Sequence, residues 1–243
     1  MLATGLCDIL EINTIKNSGQ EIHFSQSGLR FPSDLEDNLC LKAVELFAGE
    51  ADLPPIEMHL HKQIPVGAGL GGGSSNATTT LLGLNSLTAK PLSKKRLTEL
   101  AEMLGSDCPF FLHPEATLLE GRGEILTPVQ LKLKGSYLVL LFPDIHVSTA
   151  EAYQGVEPTC PDQFLKEVIH KPVSDWKHGI KNDFELSLFA KYPRLKNLKQ
   201  HLYSHGAVYA SMSGSGSSLY GIYDKHPSLP AELKKLLIWE GPI

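Results

Sequence analysis

Residues 63–78 read Gln63-Ile64-Pro65-Val66-Gly67-Ala68-Gly69-Leu70-Gly71-Gly72-Gly73-Ser74-Ser75-Asn76-Ala77-Thr78. Five of the seven residues from 67 to 73 are glycine. Because glycine has no Cβ atom, it lets neighbouring backbone N–H groups turn toward one point. Apolar residues then recur at helical spacing, at positions 77, 81, 84 and 87. We therefore expect the glycines to lie on a loop that enters a helix, with Ser74 or Ser75 as helix cap or as a phosphate donor.

A glycine loop that leads into a helix favours an anion, since the free N–H groups and the positive end of the helix dipole act together. A polyphosphate is the expected ligand. The spacing Gly67-x-Gly69-x-x-Gly72 also satisfies the dinucleotide-binding pattern. That fold needs a second strand ending in an acidic residue about 20 positions further on, where this chain has Pro91, Ser93 and two lysines. A nicotinamide-dependent oxidoreductase therefore rests on the glycine spacing alone, and a P-loop is excluded because no lysine follows Gly73.

Composition sets the broad class of protein. The chain has 243 residues, of which 42% are hydrophobic, enough for one large or two modest globular domains. No run of 18 apolar residues and no signal-peptide pattern is present, so we expect neither a membrane span nor secretion. Four cysteines without C-x-x-C spacing indicate reduced thiols in a cytoplasmic protein. A net charge of −5 argues against a nucleic-acid partner.

Periodicity predicts alternating strands and helices. Strands are expected around residues 10–12, 22–24, 56–60, 117–120, 124–125, 137–142, 207–212 and 218–223. Helices are expected at 39–47, after the glycine loop, at 93–104 with Ser93 as N-cap, and near 162–170, 183–191 and 194–204. The chain turns polar and lysine-bearing between Pro128 and Gly135. This change predicts two domains, residues 1–130 and 131–243.

The glycine segment resembles the phosphate loop P-x-G-x-G-L-G-S/G-S-S-A/N-A of the GHMP kinases, which phosphorylate small alcohols. Other segments of the chain resemble the family in the same order: Glu36-Asp37-Asn38-Leu39, Leu104-Gly105-Ser106-Asp107-Cys108-Pro109-Phe110-Phe111, Glu120-Gly121-Arg122-Gly123-Glu124, Asn182-Asp183-Phe184-Glu185 and Met212-Ser213-Gly214-Ser215-Gly216. The form G-L-G-G-G-S-S-N-A is most similar to the branch that phosphorylates the 2-hydroxyl of a cytidine-diphosphate-linked methylerythritol, in the non-mevalonate route to isoprenoids.

The resemblance implies an α+β fold of two domains, a ribosomal-protein-S5-like amino-terminal domain and a ferredoxin-like carboxy-terminal domain. It implies ATP, with Mg, as phosphate donor, and a small-molecule substrate. The ATP phosphates would lie at Pro65, Val66, Gly67, Ala68, Gly69, Leu70, Gly71, Gly72, Gly73, Ser74 and Ser75. Lys62 and Asn38 would lie near the nucleotide base, Asp107 would be the catalytic base, and Ser213, Gly214, Ser215 and Gly216 would approach the phosphates.

Simpler interpretations remain open for several of these residues. Asp107 could accept the proton of the attacking alcohol, or it could cap the turn before Pro109. The segment 213–216 could be a turn that ends a strand. His59 and His61 could bind a metal, although no third ligand is near them in sequence, or they could lie on a polar strand face. We predict no protein metal site.

The family's opening segments, A-K-[IL]-N-L and R-x-D-G-Y-H, do not occur in this sequence. Cys7-Asp8-Ile9-Leu10-Glu11-Ile12 instead resembles the strand that follows them, so about 25–30 family residues are expected to be missing. In the family that segment supplies an active-site lysine, and Lys62 resembles a different, nucleotide-side lysine. The alternatives are an active kinase, a nucleotide-binding pseudokinase without turnover, and another GHMP small-molecule kinase. A monomer or a homodimer is expected.

Overall fold

The computed structural model describes residues 1–16, 22–29, 38–113, 115–157 and 164–243. The chain divides into two compact units. Unit 1 comprises Met1–Val66 and Gly71–Val129, and unit 2 comprises Gly67–Leu70 and Gln130–Ile243. The assignment of residues 1–130 and 131–243 as functional domains stays a prediction.

Unit 1 combines one mixed sheet with helices. Its elements are, in chain order, β1 (Ile9–Thr14), β2 (Ile22–Gly28), α1 (Leu39–Ala48), β3 (Ile56–Lys62), α2 (Gly72–Leu87), α3 (Lys94–Leu104), a 3-10 helix (Cys108–Leu112), β4 (Thr117–Glu120) and β5 (Ile125–Pro128). The sheet order is β1-β3-β2, with β1 antiparallel and β2 parallel to β3. Strands β4 and β5 form a separate antiparallel hairpin.

The alternation of polar and apolar residues along β3 decides which face of this sheet is buried. Ile56, Met58 and Leu60 pack with the apolar faces of the helices, including Ala77 and Leu81 of α2. Side chains of intervening polar residues lie on the opposite, more exposed face. Burying apolar surface stabilises the folded state by about 25 cal/mol per Å². This core is therefore the main stabilising contribution in unit 1.

Unit 2 contains an antiparallel sheet with apolar clusters on both faces. Its elements are β6 (Tyr137–Leu141), α4 (Thr149–Gln154), α5 (Leu165–Val168), α6 (Val173–Gly179), α7 (Phe184–Lys191), α8 (Pro193–Ser204), β7 (Tyr209–Met212), β8 (Leu219–Tyr223), α9 (Ala231–Lys234) and β9 (Leu237–Pro242). The strand order is β7-β8-β6-β9. One face packs on α7 and α8 through Leu188, Leu195 and Leu202, and the other carries Trp176 and Tyr209.

Most of the predicted elements are confirmed. The Ser93 hydroxyl accepts a hydrogen bond from the N–H of Arg96 at 3.3 Å, as expected for an N-cap, and α3 ends before Gly105. The helix expected near 162–170 is only the single turn α5, and residues 158–163 lie outside the described part. Elements α4, α6, α9 and β9 were not predicted from the sequence. No helix among the described residues is long and apolar enough to cross a membrane.

Candidate functional site

At three positions, the backbone of the glycine segment has a conformation that residues other than glycine rarely adopt. Gly67, Gly69 and Gly71 have φ angles of 67°, 72° and 67°. The left-handed region costs an L-residue roughly 1–2 kcal/mol, because its Cβ approaches the following carbonyl oxygen. Glycine at every second position therefore lets the chain alternate between left-handed and ordinary conformations.

Close approach of neighbouring groups restricts two glycines of the segment, Gly69 and Gly72. A Cβ on Gly69 would lie 2.1 Å from the carbonyl oxygen of Ser213. A Cβ on Gly72 would lie 2.9 Å from Cγ2 of Ile64 and 3.2 Å from Nζ of Lys62. The segment is thus packed tightly on both sides of Leu70.

Helix α2 begins one turn earlier than its apolar pattern indicates. Its N-cap is Gly71, which has no side chain to cap with, so the expectation that Ser74 or Ser75 is the cap is wrong. Gly72 and Gly73 are helical rather than part of the loop, and the Ser75 N–H already bonds the Gly71 carbonyl at 2.9 Å. Among the described residues, no acceptor faces the N–H groups of Gly72, Gly73 and Ser74. These three donors and the helix dipole form an arrangement that favours an anion.

Asp107 lies beside this end of α2. The turn that follows Asp107 is fixed on the helix, because the Thr78 hydroxyl donates to the Cys108 carbonyl at 2.8 Å and the Ser74 hydroxyl contacts the Cys108 thiol. A Cβ on Gly71 would lie 3.1 Å from the ring of Phe111, in the same turn. The structure therefore brings Asp107 to the helix end whose N–H groups have no acceptor among the described residues.

The carboxylate of Asp107 is exposed and makes no side-chain cap for the 3-10 helix that it precedes. The capping interpretation consequently has no hydrogen bond to support it. The Asp107 charge interacts with the Met1 ammonium, and an exposed carboxylate can accept a proton from a bound alcohol.

Within unit 2, residues 67–70 contact the second glycine-bearing loop. The Ser213 hydroxyl donates to the Gly69 carbonyl at 2.8 Å, and the Ser218 N–H donates to the Ala68 carbonyl at 3.1 Å. A Cβ on Gly214 would lie 3.0 Å from the carbonyl oxygen of Gly69. Segment 213–216 is therefore more than a turn that ends β7, because it supports the first half of the glycine segment.

The second loop is held in place by Asn182. Its side-chain amide donates to the carbonyl oxygens of Met212 at 2.9 Å and Gly214 at 2.8 Å, while its carbonyl oxygen accepts from the Phe184 N–H. Glu185 holds the end of β7 by accepting from the Met212 N–H at 2.8 Å, and it pairs with Lys199. The segment from Asn182 to Glu185 was identified in the sequence only by its resemblance to the family, and no role was predicted for it.

Lys62 and Asn38, expected near the nucleotide base, are both buried. The Asn38 side chain caps α1 by accepting from the Cys40 N–H at 2.9 Å. Lys62 donates to Asp8 at 2.6 Å, and both side chains are 1% exposed. Burial lowers the pKa of Lys62, and the charge and hydrogen bond of Asp8 offset only part of that effect.

Asp8 is the residue of this region that sequence analysis missed. Burial tends to raise its pKa, but hydrogen bonds from the N–H groups of Ile64 and Gln63 and from the side chains of Lys62 and Asn76 hold the pKa below its ordinary value. The sequence signal for Asp8 was the alternation of inward-facing and outward-facing residues along the strands. Asp8 continues the inward positions Leu10 and Ile12, and Lys62 continues those of β3.

His59 and His61 lie on the exposed face of β3. His59 bonds the hydroxyls of Ser25 at 2.8 Å and Ser27 at 2.9 Å, and His61 bonds Ser27 at 2.9 Å. The polar strand face accounts for both histidines. Across the described ranges, no three His, Cys, Asp or Glu side chains come together as a metal site.

The chain belongs to the GHMP kinase family. Residues 38–115 match the model of the GHMP kinases N terminal domain, and residues 164–236 match that of the GHMP kinases C terminal domain. The expected α+β GHMP fold is therefore confirmed. The dinucleotide interpretation of the glycine spacing is wrong, since α2 leads into α3 rather than into a second strand.

Within this family the chain is similar to 4-diphosphocytidyl-2-C-methyl-D-erythritol kinases. It is 47% identical over 216 residues to the enzyme of Bacteroides fragilis (strain YCH46), covering 89% of this chain and 79% of the relative. It is 46% identical over 221 residues to that of Azobacteroides pseudotrichonymphae, covering 90% and 81%. A crystal structure of a 4-(cytidine 5'-diphospho)-2C-methyl-D-erythritol kinase superposes with a TM-score of 0.73 at 31% identity, covering 90% of this chain and 77% of the other.

Proposed function

We propose that this protein transfers the γ-phosphoryl group of ATP to the 2-hydroxyl of 4-diphosphocytidyl-2-C-methyl-D-erythritol. The observation that carries the proposal is the position of Asp107 beside the end of α2, where three N–H groups have no acceptor in the part of the chain that the structure describes. The identity of the substrate is inferred from the relatives, since enzymes named for this activity match about nine-tenths of the chain.

ATP fits the glycine segment through its phosphates. The N–H groups of Gly72, Gly73 and Ser74 would bind phosphate oxygens, and the backbone of residues 65–71 would surround them without Cβ obstruction. For the nucleotide base we propose Lys62 and Asn38, following the family resemblance. Magnesium would accompany ATP, bound largely through phosphate oxygens, and would neutralise part of their charge.

Asp107 would act as the general base. The substrate hydroxyl attacks the γ-phosphorus as its proton passes to the Asp107 carboxylate; the new O–P bond forms, the bond to the β-phosphate oxygen breaks, and ADP leaves. Segment 213–216 would support the first half of the glycine segment through the hydrogen bond from Ser213 to the Gly69 carbonyl. We further propose that the protein is cytoplasmic and acts as a monomer or homodimer.

A direct assay tests the proposal. The purified chain is incubated with ATP, magnesium and 4-diphosphocytidyl-2-C-methyl-D-erythritol, and ADP and the phosphorylated product are measured. Homoserine and mevalonate serve as control alcohols, because other GHMP kinases act on them. Saturable ATP binding without turnover of any alcohol would contradict the kinase assignment and leave the pseudokinase. Turnover of a control alcohol alone would show that this alcohol, rather than the cytidine compound, is the substrate.

A further inference from the structure

Asp8 accepts four hydrogen bonds on one buried carboxylate. Its Oδ1 atom accepts from the N–H groups of Gln63 at 2.6 Å and Ile64 at 2.8 Å. Its Oδ2 atom accepts from Nζ of Lys62 at 2.6 Å and from Nδ2 of Asn76 at 2.9 Å. A carboxylate with two oxygens has about four acceptor positions, so this group is fully used.

The four donors lie at the two ends of the glycine segment. Ile64 directly precedes Pro65, and Asn76 directly follows Ser75 in α2. One carboxylate therefore joins the chain that enters the segment to the helix that leaves it. Fixing the two ends reduces the conformational freedom of the residues between them.

Stability alone does not account for a charged pair in this position. Lys62 and Asp8 occupy inward positions that apolar residues hold elsewhere along β1 and β3. Replacing a buried ion pair by well-packed apolar residues is often neutral or stabilising, since desolvation of the two charges opposes their attraction. What an apolar pair could not supply is directed acceptors for the Ile64 N–H and the Asn76 amide.

We propose that Asp8 is a positioning residue for ATP binding, whose carboxylate clamps both ends of the glycine segment. It does not touch the nucleotide but sets the distance between the ends of the loop, and so the direction of the N–H groups at the start of α2. The proposal rests on the proposed function, since ATP is the ligand it serves. Small errors in positioning are costly, because even about 1 Å can change a rate by about 10²-fold.

The clamp is tested in the ligand-free protein by amide hydrogen exchange of two variants. Asp8→Asn removes the acceptor for Asn76, and Asn76→Ala frees the helix while leaving the Asp8–Lys62 pair intact, so the second variant remains informative if the first folds poorly. We expect crossed effects: faster exchange at the Ser75 amide in Asp8→Asn, and at the Gln63 and Ile64 amides in Asn76→Ala, each by at least about threefold. The clamp would be overturned if exchange became faster only at the groups that lose a hydrogen bond directly in each variant.

Calorimetric titration with ATP tests the consequence for binding. Both variants should raise the ATP Kd by at least about tenfold. The matched controls are Glu11→Gln, an exposed carboxylate of β1, and Ile12→Ala, which destabilises the same strand without touching the clamp. Both controls should bind ATP as the parent does. An unchanged Kd in both clamp variants, with a parent that binds, would overturn the inference. A parent without ATP binding would contradict the proposed function, and the exchange data would still decide the clamp.

Discussion

At the scale of single residues, Gly69 is limited both by its backbone angle and by its surroundings. Its φ of 72° disfavours any other residue, and a Cβ would lie 2.1 Å from the Ser213 carbonyl oxygen. Gly135 provides a matched comparison, with a φ of 91° and no atom within 4 Å of the added Cβ. Comparing substitutions at Gly69 and Gly135 therefore separates the effect of backbone strain from the effect of a steric collision.

We expect Gly69→Ala to raise the ATP Kd at least about tenfold, because the glycine segment and residues 213–216 must move apart. Gly135→Ala should cost about 1–2 kcal/mol of stability from the left-handed backbone and leave ATP binding unchanged. Calorimetry and thermal unfolding of both variants measure the two effects. Equal ATP affinity in Gly69→Ala would show that this contact does not shape the nucleotide site.

Asp107→Asn should lower kcat by about 10²–10⁴-fold while changing ATP affinity little, because the amide keeps the shape of the side chain but cannot accept the proton. Stability should hardly change, since the carboxylate caps nothing. Asp183→Asn is the control, an exposed aspartate at the N-cap of α7 that also makes no cap hydrogen bond. Steady-state kinetics with ATP and the cytidine substrate decide the matter; near-normal kcat in Asp107→Asn removes it from catalysis.

Among the secondary-structure elements, the loop between β7 and β8 depends on Asn182. Asn182→Ala removes two donors to that loop and the acceptor for the Phe184 N–H. We expect kcat/KM to fall by at least about tenfold, because the loop supports Gly69. Asn85→Ala is the control, since Asn85 bonds both backbone groups of Leu92 in unit 1. If the two variants lose the same activity, the effect is one of general stability.

The ends of β1 and β3 are joined by the Asp8–Lys62 pair, which gives a pH-dependent contribution to stability. The folded-state pKa of Asp8 is held below its ordinary value, so the contribution is complete above about pH 4 and is lost as pH falls through the folded-state pKa. Besides Lys62, the Cys40 thiol is close enough to affect this pair, and burial raises its pKa, so it stays neutral.

Asp8→Asn should lower the free energy of unfolding by about 3–5 kcal/mol at pH 7, because the Lys62 ammonium is left buried without its counter-ion. The difference from the parent should shrink below about pH 4, where the parent's Asp8 takes up a proton. Urea unfolding from pH 3 to 7 provides the measurement, with Glu11→Gln as the exposed control. A difference that stays constant to pH 3 would contradict the ionised state assigned to Asp8.

Local sequence signals predicted the elements that surround the candidate site, because glycine content and helical periodicity depend on neighbouring residues. The glycine segment, α2, and α3 with its Ser93 cap follow in this way. Alternation along each strand indicates that Asp8 and Lys62 both face inward, but their contact could not be predicted, since it requires the register in which β1 pairs with β3. Strand β9 was missed because it contains Gly241 and Pro242, which are unfavourable in strands.

For the whole molecule, charge argues for local rather than long-range recognition. The chain carries a net charge of −5, and ATP and a cytidine diphosphate are polyanions. The overall field therefore does not attract these ligands. On the proposed function, we expect affinity to come from the oriented N–H groups at the glycine segment, and we expect their geometry to favour a triphosphate.

Thermal unfolding with and without nucleotide tests this selectivity on the intact chain. A ligand that binds only the folded state at 100 times its Kd stabilises by about 2.7 kcal/mol. In a chain of this size that corresponds to a rise in Tm of about 5–10 °C if unfolding is cooperative. We expect ATP with magnesium to produce this shift and NAD at the same concentration to produce none. Gly69→Ala should reduce the shift to about half or less, because its Kd is at least about tenfold higher, and Gly135→Ala should keep it, because only the first disturbs the glycine segment. A comparable rise in Tm with NAD would contradict a site selective for a triphosphate.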